Sequence, residues 1–144
     1  EADGICEHPF DLLGSGPEHL GERIDWHVDF KTGYRWNPET YHKLVRPAPY
    51  PGGYDIKVPW ELSRCQHFVR LGQAYWITDD EKYVREFVAE VSDWIDSNPW
   101  PWGVNWACTM DVAIRAVNWL WGYRFFRESP SLTDEFHIKF YKSL

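Results

Sequence analysis

From Pro59 onward the apolar positions recur with helical spacing, and proline in a first turn is a helix start signal. Plotted at about 100° per residue, Trp60, Leu62, Cys65, Phe68, Val69, Leu71, Tyr75 and Trp76 share one broad arc, which predicts a helix over 60–76. Glu61 and Arg64 fall inside that arc. Thr78-Asp-Asp-Glu81 has the form of a capping box and predicts a second helix over 79–96. Its apolar set, Tyr83, Val84, Phe87, Val88, Val91, Trp94 and Ile95, lies on one side. Glu81, Lys82, Arg85, Glu86 and Asp93 lie on the other, the pattern of an outer helix with one wet face. A third helix, 107–126, carries apolar residues around almost its whole circumference, which predicts the most buried element. Its polar interruption is a narrow strip of Asp111, Arg115, Asn118 and Gly122. A fourth helix begins near Thr133-Asp-Glu-Phe136.

Residues 1–58 read differently. They hold most of the glycines and prolines, show no sustained period, and carry Phe10, Trp26, Phe30, Tyr34, Trp36, Tyr41, Tyr50 and Tyr54, too many aromatics for a disordered linker. The expectation is a long irregular wrap with short helical turns near Phe10–Leu13 and Pro38–Val45, followed over 59–144 by helical hairpins. The fold class is therefore all-α, built of antiparallel αα-hairpins behind an aromatic-rich N-terminal segment.

Composition narrows the function. With 144 residues and a net charge of −7, the chain has a core but not the clustered basic surface that nucleic acid requires. No apolar run approaches the ~18 residues of a membrane span. Cys6, Cys65 and Cys108 are odd in number and lack zinc-site spacing, so neither a complete set of disulfides nor a metal site nor a cofactor is expected, and Cys65 and Cys108 read as core thiols. The chain opens without methionine and stops soon after its last periodic segment begins, the look of a piece truncated at the C-terminus.

The polar residues on apolar faces need partners, because an unpaired buried charge costs several kcal/mol. Glu61–Arg64 and Asp111–Arg115 have the spacing of helical ion pairs, and facing helices would join them into one network. Alternatively, Arg64 or Arg115 points into a cleft and grips a carboxylate or sulfate. The indoles of the stretch Asn98-Pro-Trp-Pro-Trp-Gly-Val-Asn-Trp106 either pack as a plug over the end of the bundle or are displayed on a stiffened loop, a surface suited to sugars, with Asn105 as a polar group at the helix entrance. Asp25-Trp-His-Val-Asp29 places a histidine between carboxylates, most simply as a hydrogen-bonded loop residue. His67 reads as solvent-facing.

Several of these stretches carry a resemblance: Phe10-Asp-Leu-Leu-Gly14, Asp25-Trp-His-Val-Asp29, Asp55-Ile-Lys-Val-Pro-Trp-Glu-Leu-Ser-Arg64, and Gly103-Val-Asn-Trp106 followed by Asp111-Val-Ala-Ile-Arg115 and Trp119. Together they resemble the N-terminal toroid region of heparinase II/III-like polysaccharide lyases, related in fold to alginate lyases. The resemblance implies a partial (α/α) toroid, completed in intact members by further chain including a β-rich domain. It also implies β-elimination on uronate-containing polysaccharides such as glycosaminoglycans or alginate, and a periplasmic or secreted location. Such lyases use an Asn-His pair to neutralise the uronate carboxylate and Tyr and His further on. This chain has no Asn-His dipeptide, so its catalytic residues stay unassigned. The expected partners are an acidic polysaccharide and the missing C-terminal part of the same chain. The residues placed in the substrate groove are Trp60, Arg64, Asn105, Trp106 and Arg115. A noncatalytic glycan-binding module and a purely structural helical module remain as alternatives.

Overall fold

A computed structural model describes residues 2–46 and 51–144; Tyr50, one of the N-terminal aromatics, lies outside them. The described N-terminal residues hold a short helix α1 (Ala2–Ile5), then strands β1 (Pro9–Phe10) and β2 (Glu18–His19), then β3 (Val28–Asp29) and β4 (Tyr34–Arg35). Each strand pair is antiparallel, with Phe10 opposite Glu18 and Asp29 opposite Tyr34. Phe10–Leu13 forms no helical turn, since Phe10 is in β1; within Pro38–Val45 a 3₁₀ turn forms at His42–Leu44. The rest is mostly helical: α2 (Lys57–Ser63), α3 (Phe68–Thr78), α4 (Lys82–Ser97), a 3₁₀ turn at Val104–Trp106, α5 (Thr109–Phe126) and α6 (Asp134–Ser143).

The helix expected over 60–76 is broken. Pro59 does lie in the first turn of α2, but the chain turns at Cys65, whose φ is 54°, and restarts at Phe68. The left-handed residue ends the helix as a C-terminal glycine would, and a small thiol there is fully buried against the core. Neither glycine nor proline marks the break. The arc consequently fails at its end, where Trp76 is exposed and donates Nε1–H to the Phe125 carbonyl at 2.8 Å.

α3 packs on both α4 and α5, and α6 closes on α4. Phe68, Leu71, Val84, Phe87, Val91, Trp94, Trp119, Phe126, Phe136 and Phe140 form the main core, to which the N-terminal segment adds Phe10, Ile24 and Trp26. A smaller cluster joins Trp36 and Ile56 to Val104. α4 buries Tyr83, Val84, Phe87, Val91 and Trp94, the face its periodicity predicts. Its start differs from the capping box: Glu81 accepts hydrogen bonds from Ser129 and Ser131, both 2.6 Å, instead of reaching back to Thr78. Nor is its polar side uniformly wet, because the N-terminal segment lies across it, pairing His8 with Glu86 and Arg23 with Asp93.

The third helix departs from the expectation in how little of it is buried. α5 turns its polar strip inward, with Asp111, Arg115 and Gly122 buried, and leaves Met110 58%, Val117 54% and Trp121 55% exposed. It is not the most buried element. A helix apolar all round has no preferred apolar side, so its partners orient it. Arg64 reaches Asp111, Asn118 donates to the Arg64 carbonyl at 2.8 Å, and Gly122 leaves room for the Phe87 ring.

Candidate functional site at the tryptophan loop

The loop between α4 and α5 is held from below by amides. Asn98 caps α4 by donating Nδ2–H to the Trp94 carbonyl, and its Oδ1 accepts from Asn105 Nδ2 at 2.9 Å. Asn105 donates also to the Trp26 carbonyl at 2.7 Å, tying the loop to the N-terminal segment. Gly103 has φ 91°, and a Cβ there would sit 2.9 Å from His27 Cε1, so only glycine fits without strain. A bridge between Tyr41 and Trp102 secures the outer side.

On this base the indoles divide into buried and displayed. Trp94 meets Trp106 and Trp119 edge-on at 5.4 and 5.3 Å, and Trp100 meets Trp106 at 5.2 Å. Arg115, only 3% exposed, lays its guanidinium 3.9 Å from the Trp94 ring centroid and 4.9 Å from that of Trp106. Its Nη1 donates to the Asn105 carbonyl at 3.4 Å. Burial pushes its pKa down to about 10, which leaves it charged at neutral pH. Trp94, Asn98, Pro99, Trp100, Trp106 and Lys142 line a cleft of about 420 Å³. Its rim combines an exposed indole, Trp100, with the Lys142 side chain.

The five residues singled out in the sequence fall into two groups. Asn105, Trp106 and Arg115 come together under the loop, and Trp106 also donates Nε1–H to the Asn98 carbonyl at 3.0 Å. Trp60 is half-buried and donates Nε1–H to the Val104 carbonyl at 2.8 Å. Arg64 belongs to a separate network, donating Nε–H to Asp111 Oδ1 at 2.7 Å and Nη1–H to Glu61 Oε2. Burial pulls the Arg64 guanidinium down, but Asp111 and Glu61 outweigh it and hold its pKa above the ordinary value. The pairing therefore runs Glu61–Arg64–Asp111, and Arg115 takes aromatic faces in place of Asp111. Missing from the sequence-derived set are Trp100 and Lys142, the exposed groups of the cleft. The clustered prolines and tryptophans signalled the first; nothing local signalled the second, which lies on α6.

His27 is buried, with Nε2 2.9 Å from the Ser97 carbonyl, and burial lowers its pKa. Its flanking carboxylates do not touch the ring. Asp25 Oδ1 accepts from the His27 backbone N–H, and Asp29 accepts from Lys31, Thr32 and Asp55. His67 is not solvent-facing: its Nε2 lies 2.8 Å from Glu90 Oε2, with both side chains largely buried. Among the described residues, metal-ligating side chains gather at His8, Glu86 and Glu90, away from the loop.

Over 94 residues, 62% of this chain, the sequence is 31% identical to a heparin-sulfate lyase of Pedobacter heparinus. Over 45 residues, 31% of this chain, it is 40% identical to a heparin-sulfate lyase of Bacteroides stercoris. These stretches cover 14% and 7% of the two relatives, so the chain spans a small part of their length. No solved structure matches. The Heparinase II/III N-terminus family matches residues 2–144, virtually the whole chain, and the chain belongs to that family.

Proposed function

We propose that this chain is part of a polysaccharide lyase that cleaves uronate-containing acidic polysaccharides by β-elimination, and that it supplies part of the substrate groove. The observation that carries the reading is the family match over residues 2–144, joined by heparin-sulfate lyases among the relatives. In such a reaction a base removes the proton at C5, the electron pair forms the C4–C5 double bond, and the C4–O bond breaks with a proton going to the leaving oxygen. The uronate carboxylate must be neutralised for that proton to become acidic. No residue of this chain is assigned to those steps.

The groove role is supported by the loop. Trp100 and Trp106 offer indole faces to a sugar, and Lys142 offers a cation to its carboxylate or sulfate. In this reading Trp106 contacts the glycan, Asn105 and Arg115 hold Trp106 in place from beneath, and Trp60 anchors the loop through Val104. Arg64, tied to Glu61 and Asp111, keeps 21% of its side chain exposed and contributes that exposed part to the groove. The exposed apolar side of α5 fits the same picture, in which further chain of the intact protein continues the hairpins as an (α/α) toroid and covers it.

The test is ultraviolet absorbance of the unsaturated uronate product when the full-length protein acts on heparan sulfate, hyaluronan and alginate. Product from at least one is expected, and Trp100→Ala should raise KM severalfold while leaving the melting temperature unchanged. No product from any of the three would overturn the lyase reading; product with an unaltered KM in Trp100→Ala would remove the loop from the groove.

A further inference from the structure

A second polar site lies where the N-terminal segment crosses α4. Glu86 and Glu90 stand one helical turn apart on the same side of α4, which brings two carboxylates together. His8, at a positive φ of 56° just before β1, directs its ring onto them. One potential ligand atom from each of the three residues lies within 4.8 Å of the others. A tetrahedral ion with bonds of about 2.1 Å separates its ligand atoms by about 3.4 Å, so small side-chain movements close the set.

The surrounding bonds prepare these groups as ligands. His8 Nδ1 lies 2.7 Å from the Gly21 carbonyl, so it carries the proton and donates it, leaving Nε2 with its lone pair toward the carboxylates in the neutral ring. Nε2 is 2.8 Å from Glu86 Oε1, a contact that requires a proton between them when no ion is bound. Glu90, 4% exposed, accepts from His67 through Oε2 at 2.8 Å, while its buried Oε1 has no hydrogen-bond partner among the described residues. An unpartnered buried carboxylate oxygen is costly. Arg23, on the same wall, is committed to Asp93 at 3.0 Å. The three residues line a cavity of about 120 Å³, room enough for an ion and a water.

We propose that His8, Glu86 and Glu90 bind a divalent transition-metal ion, with His67 as the residue that positions Glu90. One imidazole and two carboxylates with a vacant fourth place suit Zn²⁺, which replaces the proton between His8 and Glu86 and satisfies Glu90 Oε1. The ion would pin the N-terminal segment to α4 across 78 positions of sequence. Such a site is independent of the lyase reading.

The experiment is Zn²⁺ titration by calorimetry, with metal content by mass spectrometry, on chelator-stripped full-length protein. Wild type is expected to bind one more equivalent than Glu86→Gln and Glu90→Gln, or to bind that equivalent at least tenfold more tightly. Zn²⁺ should also raise its melting temperature more than theirs. Because Glu90 is buried, folding of each variant is checked by circular dichroism. His67→Gln, which keeps all three ligands and removes the orienting imidazole, should weaken binding about 10- to 100-fold. Equal stoichiometry and affinity in wild type, folded Glu86→Gln and His67→Gln would overturn the site.

Discussion

Replacing Gly72 with alanine tests a close approach between α3 and α5. A Cβ built at Gly72 would lie 2.3 Å from Phe125 Cδ2, 2.4 Å from its Cγ and 2.7 Å from its Cβ. Favourable carbon contacts lie near 3.5–4.0 Å, so more than an ångström must be recovered. Swinging the ring does not suffice, because the Phe125 Cβ itself is fixed to the α5 backbone. The ring is also packed edge-on against Trp76 at 4.7 Å, and Trp76 is bonded to the Phe125 carbonyl. The helices have to part, and overpacking of this kind costs about 1–3 kcal/mol. Alanine returns about 1 kcal/mol in helix propensity. The short distances place the overpacking cost at the upper end, for a net loss of about 2 kcal/mol. Urea unfolding should show a lower midpoint at unchanged slope. In a Phe125→Ala background the two shortest contacts vanish, so the same substitution should cost at least about 1 kcal/mol less, a coupling resolvable in a double-mutant cycle. A neutral or stabilising Gly72→Ala, or an equal cost in both backgrounds, would refute the packing argument.

The two inward-facing arginines should separate in stability measurements. Arg64→Met leaves buried Asp111 and half-buried Glu61 without their cation and should cost about 3–5 kcal/mol, whereas Arg115→Met abandons no carboxylate partner and should cost less than half as much by denaturant midpoint. Cys65, fully buried with its thiol pushed up to about 12 by desolvation, should stay unmodified by iodoacetamide at pH 8 in the native protein and react only on unfolding, as read by peptide mass spectrometry. His27 has a lowered pKa in the folded state, so below its ordinary value near 6.5 the unfolded chain binds more protons and stability falls with acidification. His27→Gln, able to donate to the Ser97 carbonyl, should flatten that acid limb in melting curves taken from pH 7 to 5; an unchanged slope would show that His27 titrates normally.

The parts of this structure that were legible in the sequence are those decided by local periodicity. α4 presents one apolar stripe and one charged side, and its predicted range of 79–96 lies close to Lys82–Ser97. The break between α2 and α3 was hidden because the left-handed position is filled by cysteine, chosen for burial and not for backbone freedom. Orientation of α5 was hidden for a different reason. When apolar residues surround a helix, the few polar ones decide which way it faces, and their partners are distant in sequence: Asp111 answers Arg64 and Asn118 answers the Arg64 carbonyl. The strip Asp111, Arg115, Asn118 and Gly122 was visible as a strip, but whether it met solvent or a neighbouring helix depended on those long-range pairs. The candidate site divides in the same way. Asn105, Trp106 and Arg115 are near neighbours along the chain and meet in space, while Lys142 enters from α6. At the second site only the i, i+4 pair Glu86–Glu90 was written locally; His8 arrives through the N-terminal crossing, and His67 from the position just before α3. Both polar centres thus depend on the N-terminal residues lying across the helices, through Trp26 to Asn105 at one and His8 to Glu86 at the other. The N-terminal segment therefore has a physical role of its own, bringing to the helices polar partners that helix–helix packing alone does not supply.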